Sequence, residues 1–342
     1  MNRTTRKSSR ASGRITLHDV AKQVGVSAMT VSRALRGERR VDPYLADRIK
    51  QAAQELGYVP DPAARALASQ KSTQVLVLVP LLTNTLFVDV IESIHKVLFA
   101  HGYSALMGVT HYDPQEEEQL LKTYLPLRPA GLLLTGFDHT PAVQAMLERR
   151  SVPCVHMMEL SDDPETACVG FSQMEAGKAI TQHLLDQGYR NIAFCAGQMD
   201  ARVLQRASGW RHVLEQHGLY TPQLQFFSHA PTDMALGAEM FGQILAHRPK
   251  VDAVFFCNDD LAQGALLEAM RRGVRVPQDI AIAGFNDLPG CDQMLPPLTT
   301  VRTPRSAIGR ESAEMLLQLM ANQTPASLQL DLGFELMQRQ ST

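Results

Sequence analysis

Residues 24–37 read VGVSAMTVSRALRG and decide how the N-terminal part of the chain folds. The preceding run LHDVAKQV (17–24) spaces its apolar residues along one face of a helix. Gly25 favours the left-handed backbone that ends a helix, and Ser27 is a residue type that caps the start of the next one. The stretch therefore predicts a helix-turn-helix.

A third helix is predicted after Pro43, in the run YLADRIKQAAQELGY (44–58). Its apolar residues Leu45, Ile49 and Leu56 recur at helical spacing. We expect the three helices to pack into one small all-α domain over residues 15–58. Residues 1–14 are polar and basic, and we expect them to form a disordered tail.

Charge is distributed unevenly along the 342 residues. Residues 1–72 carry 14 Lys and Arg against 6 Asp and Glu, whereas the rest of the chain carries 19 against 29. A basic end on an acidic body indicates that the end binds a polyanion, and nucleic acid is the polyanion we expect.

Residues 59–72, VPDPAARALASQKS, link the basic domain to the remainder of the chain. Two prolines open the segment, and AARALA has a high helix propensity but little apolar surface to bury. A helix of this length is marginal alone in water, so we expect a hinge helix that needs partners to form.

From residue 73 the chain alternates apolar strands with amphipathic helices, beginning with VLVLVPL (75–81) and repeating the scheme from NIAFCAG (191–197). Continuous apolar strands predict parallel sheets covered on both faces. This many units favours an α/β domain of two periplasmic-binding-protein-like lobes with a ligand cleft between them. The predicted lobes are 73–172 with 302–326, and 173–301 with 327–342.

Several function classes are disfavoured by the sequence. There is no apolar run of about 20 residues, which argues against a membrane span, and the polar N-terminus does not fit a secretory signal. Five well-separated cysteines without a CxxC pair predict a reducing, cytoplasmic location and neither a disulfide framework nor a metal site. Since no phosphate-binding loop, dinucleotide fingerprint, nucleophile elbow or HExxH motif occurs, we expect no enzyme and no cofactor.

The second helix of a helix-turn-helix enters the major groove, and its N-terminal residues reach base edges. Here those residues are Ala28, Met29 and, one turn later, Arg33. Arg33 suits a bidentate contact to guanine, while the other two offer apolar surface to thymine methyl groups. The alternative is that Ala28 and Met29 only favour the helix and Arg33 contacts phosphate. The other DNA-binding candidates around this helix are Thr16, Ser27, Thr30, Ser32 and Arg36.

Four motifs together resemble the LacI/GalR family of transcriptional repressors. They are ITLHDVAKQVGVSAMTVSRALRG (15–37), NDDLAQGAL (258–266), RVPQDIAIAGFND (275–287) and PPLTTVRTP (296–304). The resemblance implies a dimer whose hinge segments become helical on double-stranded operator DNA. Leu67 matches the hinge leucine that enters the minor groove, and we expect Ala64 to contact DNA beside it. No leucine heptad precedes Thr342, which favours a homodimer over a tetramer.

Within that family, VGFSQMEAG (169–177) and LDLGFEL (330–336) resemble the gluconate-utilisation repressors. Arg206 matches the family's effector-binding arginine. Arg202 lies one helical turn earlier, so both guanidinium groups reach the same side. Two arginines suit a carboxylate, for which arginine provides a bidentate fork. The alternative for Arg202 is a surface ion pair.

The resemblance implies further effector contacts. Asn286 stands where many relatives have aspartate, and a neutral amide removes repulsion against an anion. Thr232 replaces an aromatic ring that stacks on cyclic ligands, which favours an open-chain ligand. Asn258 and Asp259 follow a strand at the cleft edge, where we expect them to bind hydroxyls.

Two more positions come from the first helix of lobe one. Phe87 matches a ligand-facing position of the family, although it is also suited to the core, and Asn84 lies near it, where we expect it to contact the effector. Glu159 lies near a family acidic contact, but the match is offset.

The sequence thus predicts a dimeric repressor that an aldonate, gluconate above all, releases from its operator. A repressor that responds to 2-ketogluconate is the alternative. From other classes, a sugar-acid-metabolising enzyme or a transport-associated sugar-acid-binding protein stays open. We expect operator DNA and a sugar acid as partners, and no membrane.

Overall fold

The computed structural model describes residues 15–35, 37, 41–59, 72–82, 85–149, 152–247 and 250–342. The chain divides into two compact units, 1–72 and 73–342. The predicted tail 1–14 and most of the predicted hinge lie outside the described residues.

The first unit contains three helices: α1 (Leu17–Val24), α2 (Ala28–Leu35) and α3 (Pro43–Glu55). Each contributes a fully buried aliphatic residue to one core, namely Val20, Val31 and Ile49. Because the three side chains leave water together, each helix is stabilised by packing against the other two rather than by its own propensity.

Local signals set the ends of α1. The Asp19 carboxylate accepts hydrogen bonds from the Thr16 amide at 2.8 Å and from its hydroxyl at 2.7 Å. At the other end, Gly25 has a φ of 79° and donates its N–H to the carbonyl of Ala21. This conformation is costly for residues with a Cβ, so the glycine fixes the turn before α2.

The second unit is built on two six-stranded sheets. The first contains β1 (Gln74–Val79), β2 (Ser104–Val109), β3 (Gly131–Thr135), β4 (Cys154–Met157), β5 (Cys168–Gly170) and β11 (Gln329–Asp331). The second contains β6 (Ile192–Ala196), β7 (Gln225–Phe227), β8 (Ala253–Phe256), β9 (Ala281–Asn286), β10 (Thr299–Arg302) and β12 (Glu335–Met337).

Eight helices cover these sheets in the described residues. Lobe one carries α4 (Thr85–Ala100), α5 (Pro114–Tyr124), α6 (Pro141–Glu148) and α11 (Arg305–Met320). Lobe two carries α7 (Gln173–Asp186), α8 (Ala201–Gln216), α9 (Met234–Ala246) and α10 (Asp259–Arg272). Short 3₁₀ turns occupy Leu125–Leu127, Pro222–Leu224 and Cys291–Gln293.

Sheet one has the order β11-β5-β4-β3-β1-β2, and its strands are parallel; sheet two has the order β12-β10-β9-β8-β6-β7. In sheet two only β12 is antiparallel, along β10. The central strands are buried throughout, as in β6 and β8. The predicted two-lobed α/β fold is confirmed.

One predicted lobe boundary is wrong. Residues 327–342 were expected in lobe two, but β11 pairs with β5 in the first sheet, with Gln329 opposite Cys168. Only β12 returns to sheet two, where Met337 lies opposite Thr300. A three-residue edge strand carries too little apolar pattern to show which of two similar sheets it joins.

Two glycines bring α7 and α8 into backbone contact. A Cβ on Gly209 would lie 2.3 Å from the carbonyl oxygen of Met174, and one on Gly177 would lie 2.5 Å from that of Arg206. Larger residues would separate the helices. The close contact therefore holds α8 in a fixed position against lobe two.

The described helices include none that is both long and apolar enough to span a bilayer.

Candidate functional site

The outer face of α2 combines capping groups with exposed side chains. The Thr30 amide donates to the Ser27 hydroxyl at 3.1 Å, and the two hydroxyls are 2.9 Å apart. Met29 is 63% exposed, and Arg33 is exposed one turn later. Since Val31 on the same helix is fully buried, the face that carries Met29 and Arg33 is turned away from the helical core.

The remaining DNA-binding candidates are placed differently. Ala28 is half-buried and packs against the three-helix core, so less of it is available to a base than the prediction implies. Thr16 is exposed but its hydroxyl is bonded to Asp19, and Ser32 is half-buried. The candidates Arg36, Ala64 and Leu67 lie outside the described residues, as does the effector candidate Asn84.

A cleft lies between the lobes at the carboxyl ends of their strands. From lobe one it is lined by Pro80, Leu86, Thr110, Tyr112, Gly136, Met158 and Glu159; from lobe two it is lined by Gly197, Gln198, Asp200, Arg202, Arg206, Thr232, Asn258 and Asn286. Five predicted effector residues, Arg202, Arg206, Thr232, Asn258 and Asn286, therefore meet around one space.

Arg202 is buried at the start of α8. Its Nη2 donates to Asp200 at 3.3 Å, and its guanidinium carbon lies 5.6 Å from the centre of the Tyr112 ring. Its Nη1 is buried and has no hydrogen-bond partner in the described residues. Burial alone would disfavour the charged guanidinium, but the nearby carboxylates of Asp200 and Glu159 outweigh it and raise the pKa of Arg202.

Arg206 is buried one turn further along α8 and is held by neutral groups. Its Nε donates to the side-chain oxygen of Gln173 at 2.8 Å, and its Nη1 donates to the carbonyl of Cys257 at 2.6 Å. The guanidinium lies 4.0 Å from the centre of the Phe285 ring. Burial lowers the pKa of Arg206. No salt bridge to it is found among the residues that the structure describes.

Two carboxyl groups face these arginines. Although burial opposes ionisation of Asp200, Arg202 and Arg206 hold its pKa below the ordinary value. Burial raises the pKa of Glu159, whose Oε1 accepts a hydrogen bond from Gln205 at 2.9 Å. The carboxyl group of Glu159 is therefore more readily protonated than that of Asp200.

The amides of the cleft belong to lobe two. Asn258 caps α10 by accepting from the Leu261 amide at 3.1 Å, which leaves its side-chain NH₂ as a donor. The Oδ1 of Asn286 is buried and lacks a partner among the described residues. Thr232 lines the same space.

Two predicted contacts are wrong. The Phe87 ring is fully buried in the lobe-one core, and its neighbour Leu86 lines the cleft instead. The carboxylate of Asp259 is also fully buried, and it accepts from the Thr300 hydroxyl and the Leu288 amide rather than facing a ligand. Both errors come from adjacent residues that point in different directions.

Asp200 and Tyr112 are the charged and phenolic cleft residues beside Arg202 that the prediction missed. Asp200 had a sequence signal, since an Asp directly before a helix caps it, and its side chain accepts from the Val203 amide at 3.0 Å. Tyr112 has a left-handed φ of 61° in the loop after β2, and burial raises its pKa to about 12. No local pattern marks such a loop residue as part of a cleft.

Comparison with known proteins gives the family. Residues 16–61 match the sequence profile of bacterial regulatory proteins of the lacI family, and residues 181–342 match that of the periplasmic binding protein-like domain. The HTH-type transcriptional regulator GntR of Pseudomonas aeruginosa is 52% identical over 98% of this chain and 98% of its own length. This chain belongs to the LacI family.

Solved LacI-family structures have the same architecture. The transcription regulator GntR of Chromobacterium violaceum is 47% identical, with a TM-score of 0.76 over 78% of this chain and 98% of that one. The lac repressor dimer, solved bound to operator and the anti-inducer ONPF, is 25% identical, with a TM-score of 0.84 over 96% of this chain and 99% of that one.

The LacI family accounts for both units of the chain. The helix-turn-helix unit and the two-lobed unit correspond to the family's DNA-binding and periplasmic-binding-protein-like domains. The protein is accordingly a DNA-binding transcriptional repressor and not an enzyme. Family membership also implies a small-molecule effector and a dimer.

Proposed function

We propose that this repressor responds to an aldonate, with gluconate as the effector, and that gluconate releases it from operator DNA. The observation that carries the proposal is the pair of buried arginines on one face of α8. Arg202 keeps a buried N–H without a partner in the described residues, and Arg206 is held only by neutral groups and an aromatic ring. A ligand carboxylate accepts from the unpartnered N–H of Arg202 and gives Arg206 an anionic hydrogen-bond partner.

The rest of the cleft suits a polyhydroxylated chain. Asn258 offers an amide donor, Asn286 offers a buried acceptor and Thr232 offers a hydroxyl. Such groups bind sugar hydroxyls as both donors and acceptors. A carboxylate at one end and hydroxyls along the rest describe an aldonate.

Gluconate and 2-ketogluconate differ at the carbon next to the carboxylate. The names of the similar regulators do not identify an effector, so the choice rests on the likeness to gluconate-utilisation repressors. Titration calorimetry with each ligand separates the two.

The DNA-binding part of the proposal concerns α2 and the hinge. Met29 and Arg33 lie on an exposed face and are proposed to contact bases in the major groove. Leu67 is proposed to enter the minor groove. We propose a cytoplasmic location, because a protein that binds operator DNA must share a compartment with it.

The dimer is proposed to form partly through α4. Its outer face exposes Val88 and Phe99, and the latter stacks on His95 with ring centres 5.6 Å apart. Exposed apolar side chains along a helix are suited to packing against a second copy.

The first experiment is a thermal-shift measurement of the full chain with gluconate, 2-ketogluconate and glucose. Gluconate at about 100 times its dissociation constant adds about 2.7 kcal/mol to the free energy of unfolding, which raises the melting temperature by several degrees. Glucose has similar hydroxyls but lacks the carboxylate, so it is expected to give no shift. Equal shifts with gluconate and glucose would contradict the arginine argument.

The second experiment tests release from DNA. By linkage, gluconate and operator weaken each other's binding by the same factor. Calorimetric titration of gluconate into free and operator-bound repressor measures that factor. Equal gluconate affinities in the two titrations would show that gluconate does not regulate operator binding.

A further inference from the structure

The turn that follows β9 has a backbone conformation that its residues rarely adopt alone. Asn286 has a φ of 112°, and Asp287 has a φ of 51°. Left-handed backbone is costly for residues other than glycine, and it persists where surrounding contacts hold it. The same turn presents the Asn286 side chain to the cleft.

Arg305, the first residue of α11, holds this turn from the opposite lobe. Its Nη1 donates to the main-chain carbonyl of Asn286 and, at 3.2 Å, to that of Asp287. Its Nε donates to the Asp89 carboxylate of α4 at 2.9 Å. One guanidinium therefore joins the cleft turn of lobe two to a helix of lobe one.

On the lobe-one side of this link, α11 packs closely against α4. A Cβ on Gly309 would lie 2.3 Å from the carbonyl oxygen of Val90, so α11 and α4 are in backbone contact one turn beyond Arg305. Leu86, which lines the cleft, lies one turn before Asp89 on α4. Arg305 therefore connects residues on either side of the cleft.

The lobe-two side is held by two more arginines. The Asp287 carboxylate accepts from Arg302 and from Arg339, each at 2.8 Å. These contacts fix Asp287 within lobe two, since Arg302 ends β10. Among the described residues, Arg305 is the only residue in a helix or strand of lobe one that donates to the Asn286 carbonyl.

We infer that Arg305 is a positioning residue, which holds the left-handed turn so that the Asn286 amide faces the effector and which ties that turn to α4. The inference rests on the proposed role of Asn286 in effector binding. Arg305 does not touch the effector; it sets the direction of a side chain that does.

The test compares Arg305→Met with Arg310→Met. Arg310 lies on the same helix, is 53% exposed in its side chain and pairs only with Glu311 in the described residues, so it is a matched control. Calorimetry is expected to give a gluconate dissociation constant about tenfold higher for Arg305→Met, as for loss of charge-assisted hydrogen bonds. Arg310→Met is expected to match the wild type, and Arg305→Lys to recover part of the loss.

A double-mutant cycle separates positioning from a general loss of stability. If Arg305 acts through Asn286, Arg305→Met costs little further affinity in an Asn286→Ala background. If Arg305→Met weakens gluconate affinity by the same factor in the wild-type and Asn286→Ala backgrounds, the inference is overturned.

Hydrogen exchange supplies a measurement that does not need an effector. The amides of Asp287 and Leu288 donate to Thr300 and Asp259, and both are expected to exchange faster in Arg305→Met but not in Arg310→Met. Unchanged exchange would overturn the inference even if gluconate is not the effector. A wild type that binds no aldonate would instead contradict the proposed function alone.

Discussion

Asp259 gives a quantitative prediction about lobe two. Its carboxylate is fully buried, accepts from the Thr300 hydroxyl at 2.7 Å and from the Leu288 amide at 2.8 Å, and burial raises its pKa to about 6. We predict that Asp259→Asn changes how the stability of this lobe depends on pH.

The sign follows from the two pKa values. In the unfolded chain Asp titrates near 3.9, about two units below the folded value. Below about pH 4 Asp259 is protonated in both the folded and the unfolded state, and its full contribution to the free energy of unfolding is present. Between pH 4 and 6 the unfolded state ionises first, so the free energy of unfolding falls by about 3 kcal/mol and then stays level. Asparagine does not titrate, so the variant gains about 3 kcal/mol relative to the wild type over this range.

The assay is urea unfolding between pH 4 and 7, followed by the fluorescence of Trp210. This is the single tryptophan of the chain, and it is fully buried in the same lobe. Asp279→Asn is the control, because the ion pair with Arg275 lowers the pKa of Asp279 to about 2. Asp279 then titrates mainly below pH 4, so the stability difference between this variant and the wild type is expected to stay nearly constant from pH 4 to 7. If wild type and Asp259→Asn keep the same stability difference from pH 4 to 7, the argument from burial is refuted.

Three further outcomes are expected. Arg202→Met removes gluconate binding in calorimetry and costs about 3 kcal/mol in urea unfolding, because Asp200, which is largely shielded from water, loses its ion-pair partner. Adding Asp200→Asn restores most of the stability but not the binding, and recovery of binding would argue against a carboxylate contact. Met29→Ala weakens operator binding in a fluorescence-anisotropy titration while the melting temperature stays the same, since the side chain is largely exposed. Val31→Ala costs the helix-turn-helix about 2 kcal/mol by cavity formation, which lowers operator affinity but leaves gluconate affinity unchanged.

The helices of the first unit depend on signals that are local in sequence. Gly25 and Ser27 fix a turn through bonds to residues three or four positions away. The relative position of Arg202 and Arg206 is equally local, because residues four apart on a helix share a face. Such features could be predicted from the sequence.

The wrong predictions concern features that depend on the direction of a side chain or on contacts with residues distant in sequence. Leu86 and Phe87 are both apolar, and one step along a helix turns a side chain by about 100°. Asp259 faces Thr300, 41 residues further along the chain, rather than the cleft beside Asn258. The strand β11 belongs to lobe one because its backbone pairs with the edge strand β5, which is distant in sequence. None of these outcomes is encoded in the neighbouring residues.

The hydrogen bond between Gln205 and Glu159 joins α8 of lobe two to the end of β4 in lobe one. It lies beside Arg202, which is itself almost fully buried. An anion reaches that arginine only after the lobes separate and this bond breaks. On the proposed function, we predict that effector capture is limited by the rate at which the lobes separate, so that the association rate constant falls below the values typical of preformed open sites.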